Sequence, residues 1–259
     1  MQPLALLHSI VAIPLIYAYT AVLATISLSI SFFDPDGRRQ HWCAHTWCRL
    51  IAATAGMRVR VHGVEHLPAP GAPVVYMANH QSYMDIPVLF GFLPAQFRII
   101  AKESLFRVPF MGWHLTRAGN IPINRSNRRE AMRSISRAAE RIREGTAVFV
   151  FPEGTRSRNG VLQPFKAGSF KLAVSAGVPI VPLTIIGTCR ILEKDSLLFH
   201  PGAVELHIHP EIPTAGLRSA DIEGLMDDVW TEMAAPLQPL GLAAAEPLHA
   251  PTEAVEAAP

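Results

Sequence analysis

The chain has 259 residues, enough for one substantial domain. Charged residues make up only 17% of it, which is low for a soluble protein. A net charge of +2 gives no reason to expect nucleic acid as a partner, and three cysteines provide no even disulfide framework. The composition therefore argues against a basic nucleic-acid-binding protein and against a disulfide-stabilised secreted domain.

The amino-terminal segment is strongly apolar. No Asp, Glu, Lys or Arg occurs from Leu4 to Phe33, and this run exceeds the roughly 20 residues that a spanning helix needs. We predict a membrane anchor over residues 1–36, either one tilted span or a hairpin bent near Pro14. A cleavable signal peptide is disfavoured because the run is too long and no basic residue precedes it. A buried core helix would have to be apolar on every face.

Basic residues follow this segment rather than precede it: Arg38, Arg39, Arg49, Arg58 and Arg60. By the positive-inside tendency, we expect the rest of the chain on the cytoplasmic face of the cell membrane. The next run, HWCAHTWC, places His41, His45 and Cys48 on one helical face. A metal site is conceivable there, but the spacing is not that of a zinc finger, and the flanking tryptophans favour an interfacial helix.

Short β-rich runs then alternate with helical patterns. The predicted strands are Met57–His62, Pro73–Met77, Phe97–Ala101, Gly119–Asn124, Ala147–Phe151, Ile180–Ile186 and Val204–His209. The predicted helices are Ser82–Leu93, Ser104–Ala118, Asn127–Glu144 and Pro164–Ala176. This alternation predicts an α/β fold with a largely parallel sheet covered by helices over residues 37–235. Residues 236–259 are rich in Ala, Pro and Glu, and we predict them to be a disordered tail.

One predicted helix, Asn127–Glu144, has two distinct faces. Its apolar residues recur at spacings of three and four and would face the core: Met132, Ile135, Ala139 and Ile142. Its arginines recur every four residues on another face: Arg129, Arg133, Arg137 and Arg141. That second face is either simply solvated or rests on anionic lipid headgroups.

The run NHQSYMD, residues 79–85, supplies the first candidate for chemistry. Ser82 is a plausible N-cap, which would leave His80 in the turn between a strand and a helix. A histidine there could remove a proton from a hydroxyl, and Asp85 could bind its other ring nitrogen. The pair works only if His80 precedes the helix and folds back. An accidental His–Asp pair is the alternative.

Three further runs follow predicted strands. FPEGTRSRNG, residues 151–160, crowds Glu153, Thr155 and Arg156 at a strand end, as an anionic substrate requires, although a solvated turn is the alternative. GNIPINR delivers Arg125 to a strand end, where a phosphate could bind. VPIVPLTIIGT, residues 178–188, is either plain core or a buried strand near an acyl-binding groove.

These four runs, in this order, resemble the four sequence blocks of the glycerolipid acyltransferases that use a His-x4-Asp motif, and most closely those of the 1-acyl-glycerol-3-phosphate acyltransferases. The resemblance covers about residues 61–210, and Lys102 lies where the family carries a basic segment. It implies direct acyl transfer, with no metal or other cofactor. His80 would be the base and Asp85 its orienting partner. Substrate binding would involve Lys102, Arg125, Glu153, Gly154, Thr155 and Arg156.

The function that we predict is transfer of a fatty acyl chain to the sn-2 hydroxyl of 1-acyl-glycerol-3-phosphate. The partners would be the lysophospholipid acceptor, an acyl-CoA or acyl carrier protein donor, and membrane lipids. No G-x-S-x-G occurs, so an acyl-serine intermediate lacks its usual support. The alternatives are acylation of another lysolipid such as a lyso-amino-acid lipid, a non-catalytic lipid-binding membrane protein, or a hydrolase.

Overall fold

A computed structural model describes residues 2–34, 37–109, 111–124, 128–244 and 246–247. Within these ranges the helices are α1 (Gln2–Ile30), α2 (Arg38–Thr54), α3 (Asp85–Phe92), α4 (Met111–Arg117), α5 (Arg128–Arg143), α6 (Ala167–Ala176), α7 (Thr188–Ile191) and α8 (Ile222–Ala234). The strands are β1 (Met57–His62), β2 (Val75–Ala78), β3 (Arg98–Lys102), β4 (Ile121–Ile123), β5 (Val148–Val150), β6 (Ile180–Ile186) and β7 (Gly202–Ile208).

The seven strands form one sheet in the order β1-β7-β6-β2-β5-β3-β4. Strands β2 to β6 are mutually parallel, so their carboxyl ends lie along one edge of the sheet. Strand β7 runs antiparallel to β6, and the edge strand β1 runs parallel to β7. The predicted α/β fold with a largely parallel sheet is therefore confirmed.

Helices cover both faces of the sheet, which explains why the central strands are apolar without alternation. On one face, Tyr76, Phe149 and Leu183 pack with residues of α2 and α3. On the other face, Val75 and Val148 pack with residues of α5, α6 and α8. Of the predicted core face of α5, Ala139 and Ile142 are buried and Ile135 packs against them, whereas the side chain of Met132 lies outside the described residues.

Helix α1 runs without interruption through Pro14, so of the two alternatives for the anchor the hairpin bent near this proline is not formed. The chain reverses instead after residue 30, and α2 runs back along α1. His8 Nε2 lies 2.7 Å from the Thr54 carbonyl oxygen, and the Trp47 indole donates to Thr20 Oγ1 at 2.7 Å. The segment Pro3–Phe33 is long and apolar enough to cross a membrane, and only 11% of an apolar 18-residue stretch within it is buried.

Other predictions change in detail. The helix predicted over Ser104–Ala118 is divided into a 3-10 turn and α4, with Pro109, which cannot donate a helical hydrogen bond, between them. Helix α8 was not predicted. The disorder predicted from residue 236 is wrong at its start, because Leu237 is buried and the Leu162 amide donates to the Leu242 carbonyl. Residues 245 and 248–259 of that tail lie outside the described residues.

The histidines and cysteine of α2 serve packing rather than converge on one point. The His41 ring contacts Phe90 and Phe97, each with its ring centroid 5.5 Å away. His45 Nδ1 lies 3.0 Å from the Phe90 carbonyl oxygen, and Cys48 is fully buried. The conceivable metal site on this helix is therefore not assembled in the described structure.

Candidate active site

The candidate site lies at the edge of the sheet where β2, β5 and β6 end. His80 follows β2, Glu153 follows β5, and Thr188 follows β6. The carboxyl ends of neighbouring parallel strands necessarily meet there, which is where ligand sites of open α/β sheets are assembled. Asn79 holds the β2 end against β6, since its side chain exchanges two hydrogen bonds with the backbone of Ile185.

His80 and Asp85 form a hydrogen-bonded pair. His80 Nδ1 lies 2.7 Å from Asp85 Oδ2, and His80 precedes α3, which begins at Asp85. The chain therefore folds back as the sequence argument required. The N-cap of α3 is Met84, not Ser82 as we predicted. Because the carboxylate accepts the Nδ1 proton, the neutral imidazole presents Nε2 as its proton acceptor.

Asp85 is fully buried and surrounded by donors. Its Oδ2 atom accepts the backbone amides of Gln81 at 2.7 Å and Ser82 at 2.9 Å, besides the His80 ring. Its Oδ1 atom accepts the Thr188 hydroxyl. These bonds compensate the burial of the charge and fix the carboxylate in position, so that the histidine ring is held in one orientation.

Residues of the FPEGTRS turn hydrogen-bond both the amide and the carbonyl group of His80. The His80 amide donates to Glu153 Oε1 at 2.6 Å, and the Ser157 amide donates to the His80 carbonyl at 2.8 Å. The Phe151 ring stacks on the His80 ring with centroids 3.8 Å apart and planes 11° from parallel. The His80 side chain remains 19% exposed, so its ring edge is accessible to a substrate.

Glu153 is buried beside this pair. Burial raises the pKa of its carboxyl well above the ordinary value of 4.5, and the charge of Asp85 raises it further. Hydrogen bonds from the amides of His80 and Gln163 act in the opposite direction. The Glu153 carboxyl is buried and accepts hydrogen bonds from two backbone amides. It therefore connects the two loops rather than acting as a second base.

Gly154 and Thr155 form the exposed side of this turn. Gly154 has φ of 71°, a conformation that other residues rarely adopt, and a Cβ there would lie 3.2 Å from the Lys166 side chain. Thr155 is exposed. The glycine therefore lets Lys166, a cation that we did not predict for the site, approach the turn.

Arg156 lies in the same turn, directly before Ser157, whose amide donates to the His80 carbonyl. Its guanidinium carbon lies 3.7 Å from the centroid of the Tyr83 ring, in a cation–π contact. Its Nη1 atom is buried and has no hydrogen-bond partner among the described residues. A second cation is close, because Lys194 Nζ donates to the Arg156 carbonyl at 3.1 Å. An unpartnered buried donor with cationic neighbours is suited to an anionic ligand.

Of the remaining two predicted cations, only Lys102 lies within the described residues, and it stands apart from this group. Lys102 is exposed at the end of β3, separated from β2 by β5, which corresponds to about 10 Å across the sheet. Arg125 lies outside the described residues. A cleft of about 660 Å³ lies between the ends of β3 and β4 and helix α5, and it is lined in part by Glu103, Asn124 and Arg133. His80 and Asp85 do not line this cleft.

Several contributors were missed from the sequence. Thr188 ends the predicted VPIVPLTIIGT block but contacts Asp85 across 103 residues, and no local pattern announces such a contact. Phe151 was interpreted as part of a strand, although its position two residues before Glu153 could have suggested a role. Strand β6 is buried in the centre of the sheet, so most of this block is core.

Comparisons with known proteins agree with this geometry. The acyltransferase family profile matches residues 58–186. A chloroplastic 1-acyl-sn-glycerol-3-phosphate acyltransferase of Arabidopsis thaliana is 37% identical over 186 residues, which cover 71% of this chain and 51% of that protein. The human 1-acyl-sn-glycerol-3-phosphate acyltransferase alpha is 38% identical, with coverage of 69% and 63% respectively. The chain thus spans about half to two thirds of the length of these relatives.

A solved structure is also similar. The crystal structure of the 1-acyl-sn-glycerophosphate acyltransferase PlsC from Thermotoga maritima superposes with a TM-score of 0.79 at 28% identity, covering 95% of this chain and 99% of that one. Fold, motif order and sequence identity all agree. The chain therefore belongs to the acyltransferase family of which the 1-acyl-sn-glycerol-3-phosphate acyltransferases are members.

Proposed function

We propose that this protein transfers a fatty acyl group from acyl-CoA or acyl carrier protein to the sn-2 hydroxyl of 1-acyl-glycerol-3-phosphate, forming phosphatidic acid. The observation that carries the proposal is the combination of the His80–Asp85 pair with the unpartnered, buried Nη1 of Arg156, whose guanidinium lies over Tyr83 in the turn between His80 and Asp85. A base for a hydroxyl and a donor for a phosphate are thereby present in one site. The names of the relatives support the same acceptor.

The reaction follows from the protonation of the imidazole. His80 Nε2 accepts the proton of the acceptor hydroxyl as the oxygen attacks the thioester carbonyl. The resulting tetrahedral intermediate collapses with cleavage of the carbon–sulfur bond, and the imidazolium returns the proton to the departing thiolate. Asp85 keeps the ring oriented and stabilises its positive charge between the two steps. No covalent acyl-enzyme is needed in this scheme.

Phosphate recognition falls to the cations around the turn. We assign the main contact to Arg156, because its guanidinium is held over the Tyr83 ring and its Nη1 atom has no hydrogen-bond partner among the described residues. Lys102 belongs to the end of β3 and would contact the phosphate only from farther along the same edge, and Arg125, which follows β4 in the sequence, would supply a further cation. Gly154 and Thr155 would line the approach, and Glu153 would shape it through its bonds to the two loops.

The amino-terminal helices supply the membrane attachment in this proposal. Ser9 and Ser27 of α1 both contact the domain, through the Phe199 amide and through His114, and they lie 18 residues or about 27 Å apart along the helix. A helix held along the domain over that length cannot cross a bilayer while the domain stays in water. We therefore propose that α1 lies in one leaflet, on the cytoplasmic face.

A comparison of two arginines tests the acceptor. Arg156→Ala should reduce kcat/KM for lysophosphatidic acid by about 10- to 150-fold, since a hydrogen bond to a charged group contributes about 1.5–3 kcal/mol. It should affect a neutral acceptor such as monoacylglycerol little. Lysine at this position should restore part of the activity because it keeps the charge but not the fork.

Arg158→Ala is the matched control. It removes the same charge from the same turn, but Arg158 is exposed and pairs with Asp195 at 3.3 Å. This variant should retain activity close to that of the unmodified protein. Equal losses on the phosphorylated and the neutral acceptor in Arg156→Ala would contradict the head-group assignment.

A further inference from the structure

Three side chains that commonly bind metals meet on the outer strands β1 and β7, which carry no residue of the candidate active site. His62 ends the edge strand β1, and Glu205 and His207 lie on β7 beside it. The register pairs His62 with His207, and residues two apart on a strand share a face, so all three lie on the same side of the sheet. His62 is exposed and the other two are half-buried.

Their distances match the size of a metal site. Glu205 Oε2 lies 3.0 Å from His207 Nε2 and 3.8 Å from His62 Nε2. The two imidazole rings stack with centroids 4.5 Å apart and planes 19° from parallel. Zinc–ligand bonds of about 2.0–2.2 Å in a tetrahedron place ligand atoms roughly 3.3–3.5 Å apart, which falls between the two measured separations. The three ligand atoms all lie within 4.8 Å of one another.

The chemistry of the set selects the class of metal. Two imidazoles and one carboxylate are ligands that zinc prefers, whereas magnesium and calcium prefer oxygen ligands alone. Three protein ligands would leave a fourth position for water. Arg60 is opposite Glu205 in the ladder, and its positive charge competes with a cation for this carboxylate.

We propose that His62, Glu205 and His207 bind a zinc-like divalent transition metal that links β1 to β7. Glu205 and His207 on β7 are two strand spacings, about 10 Å, from β2, whose end carries His80, and His62 on β1 is three spacings, about 14 Å, away. The ion therefore takes no part in proton transfer. Its effect is on stability, because β1 is an edge strand paired on one side only and the ion adds a second connection to its neighbour.

The test measures zinc binding and melting temperature on the full chain, after any affinity tag has been removed. Stoichiometric zinc should bind with one site per chain in calorimetry, and zinc at 100 times Kd should raise Tm by about 5–10 °C. Magnesium at the same concentration should leave Tm unchanged. The double variant His62→Ala/His207→Ala should lose the site and the shift, and Arg60→Ala should bind zinc more tightly.

His200→Ala is the control, since it removes a histidine near β7 that is outside the cluster. It should bind zinc as the unmodified protein does. All the altered residues of the cluster are at least partly exposed, so Tm in the presence of a chelator should differ little among the variants. Zinc binding or stabilisation that persists in the double variant would overturn the proposal, as would weak, non-saturating binding that is equal in all variants.

Discussion

The turn after β2 and the helix α1 depart from the usual distribution of side chains in opposite directions. Near His80, polar residues are buried: Asn79, Gln81, Ser82, Asp85, Glu153 and Thr188. On α1, large apolar residues are exposed: Leu4, Leu6, Leu7, Ile10, Val11, Leu15, Tyr17, Val22 and Ile26. The buried groups have internal hydrogen-bond partners, whereas no described part of the protein covers the exposed ones.

The difference shows how each region depends on its surroundings. A buried polar network is stable only when its members bond one another, so the geometry of the turn is determined by the protein itself. An exposed apolar helix requires a partner. Here Ala5, Ser9 and Ala12 are buried and Ile13 and Ile16 pack partly against the protein, while the large residues named above face outward. That arrangement is the reverse of a soluble amphipathic helix and suits contact with lipid.

The largest effect should come from removing the base at the buried turn. His80→Ala should reduce acyl transfer by about 10²–10⁴-fold, because a positioned base contributes about that factor and the hydroxyl proton has no other acceptor in the scheme. Membrane association should not change. Turnover near that of the unmodified protein in a steady-state assay would contradict the mechanism. Asp85→Asn should cost as much or less, since it acts through the histidine.

Substitutions on the exposed face of α1 should have the opposite effect, a loss of membrane binding without a loss of chemistry. Replacing Leu7, Val11 and Leu15 by serine should lower partition into lipid vesicles by about 100- to 1,000-fold, since each side chain would give up part of the roughly 1.5–3 kcal/mol of its burial. Activity on substrate dispersed in detergent should be retained. Leu240→Ser is the control, because Leu240 is also exposed but lies far along the chain from α1. Unchanged vesicle binding of the triple variant would refute the assignment of α1 to lipid.

Thr188 tests whether the network around Asp85 matters for the chemistry. Thr188→Val keeps the shape but removes the donor to Asp85 Oδ1, and kcat should fall by about 10- to 100-fold, as for other hydrogen bonds to charged groups. KM for the acceptor should remain unchanged, because Thr188 is fully buried. Thr188→Ser should restore most of the activity. A Thr188→Val variant that loses thermal stability but keeps its kcat would show that the residue is merely structural.

Glu153 should produce the smallest effect, seen as a dependence of stability on pH. Burial raises its pKa above 4.5, so between pH 4.5 and that raised value the folded protein binds more protons than the unfolded chain. The stability of the protein therefore falls as pH rises through this window. In Glu153→Gln the side chain no longer titrates. The Tm of this variant minus that of the unmodified protein should therefore increase by about 3–5 °C per pH unit. Glu144→Gln, at an exposed position, should show no such trend, and parallel Tm curves for Glu153→Gln would refute the interpretation.

Local patterns in the sequence predicted much of the fold. Strands β1 and β6 span the predicted residues because each is a run of apolar or alternating β-formers bounded by turn residues. Helix α8 was missed although Ile222, Leu225, Val229 and Met233 recur at helical spacing. The start of the tail was misjudged because Leu237 is buried by contacts with distant residues, which composition does not reveal.

The candidate site likewise contains contacts that the sequence predicted and contacts that it did not. The His80–Asp85 contact spans five residues and was predicted, because a short motif contains both groups and the turn between them. Thr188 and Lys194 reach the site from another part of the chain and were not predicted. The orientation of α1 was also beyond prediction, because its charge-free composition does not distinguish a helix that crosses a membrane from one that lies along the domain.

The most direct test of the account is product analysis with purified protein in vesicles that contain lysophosphatidic acid and a labelled acyl donor, either acyl-CoA or acyl carrier protein. We expect labelled phosphatidic acid with the label at the sn-2 position, formed by the unmodified protein and reduced by at least about 100-fold in His80→Ala. Release of free labelled fatty acid without an acceptor, or equal product from the His80→Ala protein, would contradict the proposed acyl transfer.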